Sequence, residues 1–243
     1  ASYCAEAAGD AAFARRLRHN TTPLKVAGYR VVHISLKSPN LPPGDVTADQ
    51  LDVIAALAEE HSFGEARTTH QQNMVLADVE ERALRDVWTA LEAAELATPN
   101  IGTLTDMICC PGLDFCALAN AGSIAVAKQI TDTFDDLDQL YDLGEIQLKM
   151  SGCINACGHH HVGHIGILGI NKAGEEYYQI MLGGAPGDDA SLGKWIGAAI
   201  SQDEIAPAME RLLERFVAVR EGEERFIDTY RRVGPTPFKE AVY

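Results

Sequence analysis

Two short stretches of this chain carry cysteines at spacings suited to a soft metal. Cys110-Pro-Gly-Leu-Asp-Phe-Cys116 is a C-x5-C pair, and Cys153-Ile-Asn-Ala-Cys157 is a C-x3-C pair. Four thiolates from two loops can hold a four-coordinate ion or a cluster, and the softness of sulfur narrows the occupant to zinc, copper(I) or iron–sulfur. Structural zinc knuckles use C-x2-C to C-x4-C pairs that fold tightly around one ion. A [4Fe–4S] cubane presents its irons at separate corners and accepts looser spacing. Gly112, Gly152 and Gly158 flank the cysteines, and glycine permits the turns and close backbone approach that such a wrap requires. Spacing thus favours a cluster, with a zinc site or buried structural cysteines as the alternatives. Cys4 is remote from both pairs and reads as a free thiol.

Two further groups of polar residues can do chemistry. Arg67-Thr-Thr-His-Gln-Gln-Asn73 offers Arg67, Thr69, Gln72 and Asn73 on what reads as a strand. The bland account is a solvent-facing stripe. The chemical one is a set of donors for carboxylates, which suit the fork of an arginine. His159, His160, His161 and His164 follow the second cysteine pair. Histidine-rich tracts can bind metal, but ordinary solvated or core histidines fit equally well. Lys149 is a weaker candidate for the same role as Arg67, and Lys194 could reach a carboxylate, although a surface lysine is its default.

The segments CCPGLDFCALA and KMSGCINACGHH resemble the two signature loops of the siroheme-dependent sulfite and nitrite reductase family, whose pattern is C-x5-C followed, about forty residues on, by G-C-x-N-x-C. Gly152, Cys153, Asn155 and Cys157 stand in that register, and the register favours Cys110 over the adjoining Cys109 as ligand. Arg67 to Asn73 is similar to the family's R-x-T-x-x-Q-N strand, which lies under the macrocycle. The likeness runs from about residue 25 to 235. It implies that Cys110, Cys116, Cys153 and Cys157 bind a [4Fe–4S] cluster. Cys157 would also bridge to the siroheme iron and so carry the catalytic role. Arg67, Thr69, Gln72, Asn73 and Asn155 are implied as siroheme contacts. The implied reaction is the six-electron reduction of sulfite to sulfide, or of nitrite to ammonia. The tail and the CCPGLDFC form are most similar to bacterial assimilatory sulfite reductase hemoprotein components, which favours sulfite.

The elements that must position these residues can be traced from the pattern. Tyr29–Lys37 alternates and is rich in β-branched residues, which predicts a strand. SPNLPPGD follows as a turn. Thr47 and Gln50 form a capping box ahead of the helix LDVIAALAEEH. Arg67–Ala77 reads as a second strand, and Asp78 as the start of a helix from Glu80 to Leu96. A helix is expected from Leu118 to Ile130, strands at Glu145–Met150, His164–Ile170 and Tyr177–Leu182, and a helix from Glu204 to Glu221. The tail from Val233 is expected to lie on the surface. The fold class that follows is α+β. Residues 1–22 form an N-terminal arm or linker, 23–100 a ferredoxin-like α/β sandwich half-domain, and 101–243 a mixed α/β siroheme and [4Fe–4S] domain.

The bulk properties set limits. At 243 residues and 47% hydrophobic, the chain can bury one large core or two ordinary ones. No apolar run is long enough to span a membrane, and the first twenty residues lack the apolar core of a signal peptide, so a cytoplasmic location is expected. A net charge of −15 argues against nucleic-acid binding. It also makes the chain an awkward host for an anionic macrocycle and an anionic substrate without basic groups from elsewhere. Arg15, Arg16 and Arg18 are the only basic cluster near the start and match no family motif. The chain begins with Ala and is expected to be the C-terminal half of a longer reductase, partnered by an N-terminal half and by a ferredoxin or flavoprotein donor, with a small one-half reductase as the other reading. A non-catalytic [4Fe–4S] electron-transfer protein and a zinc-stabilised interaction domain are the alternatives.

Overall fold

A computed structural model describes residues 7–243, and Cys4 lies outside the described residues. The chain separates into two compact units, Ala1–Ile101 and Gly102–Tyr243.

The first unit is an antiparallel four-stranded sheet in the order β1-β2-β4-β3, with β1 at Thr21–Pro23, β2 at Tyr29–Ile34, β3 at Ala66–Thr68 and β4 at Met74–Glu80. Helices α1 (Ala11–Asn20), α2 (Ala48–His61) and α3 (Leu84–Ala93) accompany it. The Thr47–Gln50 box forms as its sequence requires. Thr47 Oγ1 accepts from the Gln50 N–H at 3.2 Å, and Gln50 Oε1 accepts from the Thr47 N–H at 3.0 Å. Ile54, Leu57 and Ala58 of α2, Val32 and Ile34 of β2, Leu76 and Val79 of β4, and Leu84, Val87 and Leu91 of α3 bury into one core.

Three features of this unit differ from expectation. The leading segment is no peripheral arm: Phe13 on α1 is fully buried in the core, and β1 extends the sheet through Thr21↔Val32. Asp10 caps α1 through Phe13 N at 3.0 Å and pairs with Arg85 at 2.7 Å. The Arg67–Ala77 stretch is a hairpin rather than one strand. Thr69 Oγ1 accepts from the N–H groups of Gln71 and Asn73, Gln72 adopts a φ of 56°, and the chain reverses into β4. Finally, β4 continues through Asp78 to Glu80, so the next helix begins only after a 3-10 turn at Glu81–Ala83.

The second unit holds a five-stranded sheet in the order β5-β6-β7-β8-β9. Its strands are β5 (Ile108–Cys109), β6 (Leu148–Ser151), β7 (Ile165–Lys172), β8 (Glu175–Leu182) and β9 (Lys194–Trp195). The pairs β5–β6 and β6–β7 are parallel, whereas β7–β8 and β8–β9 are antiparallel. The helices are α4 (Ile124–Thr133), α5 (Leu137–Leu143), α6 (Gln202–Val219), α7 (Phe226–Val233) and α8 (Thr236–Val242). On α6, Ile205, Ala208, Met209, Leu212, Leu213 and Phe216 bury at helical spacing. The proline-containing tail is not a surface strand of chain. Pro235 caps α8, and Phe238 and Val242, four residues apart, enter the same core as α6. The helix expected from Leu118 starts only at Ile124, because the preceding residues are held by other bonds described below.

Candidate functional site

Both cysteine pairs sit where chain leaves the carboxyl ends of neighbouring parallel strands, the edge where α/β sheets commonly present ligands. Cys109 pairs with Met150 across β5 and β6, and the Cys110 N–H donates to Met150 O at 3.0 Å. Cys109 turns into the hydrophobic core, whereas Cys110 begins the first loop. Gly152 and Cys153 follow β6 directly and begin the second.

The two loops interlock through glycine backbones. The N–H groups of Asn120 and Ala121 donate to Gly152 O at 2.9 and 3.0 Å, and Leu113 N donates to Ala121 O at 3.2 Å. These bonds hold residues 118–121 out of the helical state. A Cβ on Gly152 would stand 2.7 Å from the Gly112 Cα, and one on Gly112, at φ 65°, would stand 2.5 Å from Ala121 O. A Cβ on Gly158 would strike the Met150 carbonyl. Only glycine allows this approach. Below the joint, Glu176 and Tyr178 of β8 clamp the chain ahead of α4. Gly122 N donates to Glu176 Oε2 at 2.7 Å, and the fully buried Tyr178 donates its hydroxyl to Gly122 O at 2.8 Å. Burial and the Glu176 carboxylate push the Tyr178 phenol upward, so it stays a donor.

Cys110, Cys116, Cys153 and Cys157 stand outside any disulfide, and the Cys109 thiol donates to Cys110 O at 3.4 Å. Their exposure is graded: Cys110 is 7% and Cys153 5% exposed, Cys116 is half-buried and Cys157 is exposed. Among the described residues no three His, Cys, Asp or Glu side chains close around a single ion. Leu113, Phe115, Leu118 and Ile154 stand exposed on the same two loops, giving them an apolar crown. Asn155 is exposed on the second loop.

The histidine tract divides. His160 and His164 are buried, and burial pushes both rings down to about 4. His164 Nδ1 accepts from Gln147 N at 3.2 Å, which fixes a neutral ring with its proton on Nε2. His160 stacks on His161 at 4.0 Å, and neither of its nitrogens has a hydrogen-bond partner. His159 is exposed.

Arg67, Thr69, Gln72 and Asn73 come together on the β3–β4 hairpin of the first unit. Arg67 is exposed and its guanidinium meets Glu65 at 2.7 Å. Thr69 accepts two backbone N–H groups, which leaves its own O–H to donate. Asn73 is 4% exposed, and its Oδ1 accepts from Leu36 N at 3.0 Å and from Lys37 Nζ at 2.9 Å. It therefore acts as the strut of the hairpin. Lys37, which the sequence did not single out, also donates to the carbonyls of Gln71 and Gln72 at 2.7 and 2.8 Å. Glu176 and Tyr178 were likewise missed. Nothing in their sequence context separates them from ordinary strand residues.

Comparison with known proteins gives consistent matches. Residues 102–243 match the family model described as nitrite and sulphite reductase 4Fe-4S domain. Residues 28–94 match the nitrite/sulfite reductase ferredoxin-like half domain. An assimilatory ferredoxin-dependent nitrite reductase from Haloferax mediterranei is 31% identical over 81% of this chain and 34% of its own length. A sulfite reductase [ferredoxin] 2 from Mycolicibacterium paratuberculosis is 28% identical over 84% of this chain and 39% of its own length. The chain thus spans little more than a third of these relatives. The solved NirA protein of Mycobacterium tuberculosis shares the fold, with a TM-score of 0.73 over 90% of this chain and 41% of that one at 24% identity.

Proposed function

Because the chain belongs to the nitrite and sulfite reductase family, we propose that it carries the cluster-bearing part of an enzyme that reduces sulfite or nitrite. In that reaction six electrons and six protons turn sulfite into sulfide and three waters; six electrons and eight protons turn nitrite into ammonium and two waters. A [4Fe–4S] cluster and a siroheme supply the redox chemistry when bound. The chain's residues hold and orient. Cys110, Cys116, Cys153 and Cys157 are the cluster ligands, and exposed Cys157 is the thiolate that a second iron can reach. Arg67, Thr69 and Gln72 offer donors to siroheme carboxylates, Asn73 holds their hairpin, and Asn155 stands beside Cys157 on the second loop.

The observation that carries this reading is the interlock of the two cysteine loops at Gly112 and Gly152. It brings both cysteine loops together at one edge of a parallel sheet, as a single cluster held by both pairs requires. Substrate preference leans to sulfite on the likeness of the CCPGLDFC loop. A ferredoxin or flavoprotein is the electron donor, and a basic surface beyond this acidic chain supplies the anion-binding groups. A reducing compartment such as the cytoplasm suits four cysteines that must stay reduced to serve as ligands.

Anaerobic reconstitution with iron, sulfide and siroheme tests the reading. The expected result is five irons per chain, four from the cluster and one from the siroheme, with four labile sulfides and strong Soret and red absorption bands from the macrocycle. A broad brown shoulder alone would reduce the reading to an electron-transfer protein. Zinc in place of iron, with no visible absorption, would overturn it.

A further inference from the structure

Ser123 occupies the N-cap of α4. A serine there ordinarily turns its oxygen toward the N–H of the second or third helical residue. Ser123 makes no such bond. It is fully buried, and its Oγ has no hydrogen-bond partner among the described residues. A hydroxyl buried with neither its proton nor its lone pairs used is costly to keep. The cost is borne at one place: Oγ would lie 3.0 Å from a Cβ on Gly112 and 3.3 Å from one on Gly152. These are the two glycines of the interlock, two residues after Cys110 and one before Cys153. The Ser123 N–H and the positive end of the helix abut the same spot, 2.9 Å from that Gly112 position.

We propose that the Ser123 hydroxyl is the hydrogen-bond donor to a sulfur of the cluster, either a cysteine thiolate or an inorganic sulfide, and thereby raises the cluster's reduction potential. The proposal rests on the cluster reading above. Ser123 is a tuning residue and not a ligand. A donor aimed at sulfur stabilises the reduced cluster, which carries one more negative charge, over the oxidised one. The N-terminus of α4 acts in the same direction.

The test uses the full chain, reconstituted anaerobically with iron and sulfide, as wild type, S123A and S123T. The cluster's midpoint potential is read by EPR-monitored titration, and iron and sulfide are counted in each sample. Held at the wild-type midpoint, S123A should be roughly tenfold richer in oxidised over reduced cluster, a downward shift of about 59 mV for one electron. S123T, which keeps the hydroxyl, should titrate with the wild type. A fully loaded S123A with an unchanged midpoint overturns the proposal. Loss of the cluster in S123A but not in S123T supports it; loss in both overturns it, because the position then matters for packing and not as a donor. A wild-type chain that assembles no cluster is a different failure, and it removes the functional reading itself.

Discussion

Each of the five described cysteines has a distinct environment, and the ligand set can be tested one thiol at a time. Cys109 and Cys110 are neighbours in sequence but face opposite ways, one into the core and one into the first loop. C110S, C116S and C153S are expected to abolish the four-iron content of the reconstituted chain, whereas C109S retains it; iron and sulfide analysis decides. The buried histidines make a second residue-scale prediction. In the unfolded chain His160 and His164 take up a proton near pH 6.5, and in the folded chain only near 4. Between those values the unfolded state holds more protons, so stability falls as pH is lowered from 7 toward 4. His164→Asn keeps an acceptor for Gln147 N and removes the titration. Its melting temperature should fall less between pH 7 and 5 than that of the wild type, by roughly 2–4 °C. An identical slope in both proteins would sink this account.

At the scale of elements, the strongest local signals were legible and the bonded ones were not. The capping box at Thr47, the β-branched run at Tyr29 and the apolar spacing of α6 each name their element without help. The Thr69–Asn73 reversal contains no glycine or proline; it is made by a threonine hydroxyl gathering two N–H groups and by Gln72 in the left-handed region. Residues 118–121 are alanine-rich and read as helix. Two bonds to Gly152 O, thirty residues away in sequence, hold them in a loop. The prolines near the tail suggested surface chain, yet a proline at a helix start is equally a start signal. Once α8 is formed, the four-residue spacing of Phe238 and Val242 buries both. The leading helix was misjudged because one buried aromatic, Phe13, anchors it between Trp88 at 5.5 Å and the Arg85 guanidinium at 4.8 Å. F13A should destabilise the first unit by about 3–5 kcal/mol in urea unfolding. A cost near zero would return α1 to the status of an appendage.

For the whole molecule, charge and extent point the same way. A chain with net charge −15 repels an anionic substrate unless basic groups are brought to it, and the chain spans little more than a third of the relatives named above. Loaded with both cofactors but alone, it should reduce sulfite or nitrite at least roughly 100-fold more slowly than complete enzymes, the order of loss that follows removal of one stabilising donor. Steady-state turnover with a chemical reductant measures this, and rates typical of complete enzymes would refute it. The cysteine spacings and the G-C-x-N-x-C register singled out the two loops that the structure interlocks at Gly112 and Gly152. What stayed hidden was the support beneath them, the Glu176–Tyr178 clamp and Ser123, because strand and cap residues carry no spacing rule that marks them.

The graded exposure of the four thiols also gives the site a direction in time. Oxidants, chelators and assembly factors all approach from solvent. They meet Cys157 first, then Cys116, while Cys110 and Cys153 stay behind the glycine joint. If the four thiols hold a cluster as proposed, damage should therefore start at the outer corner and reach the glycine joint last.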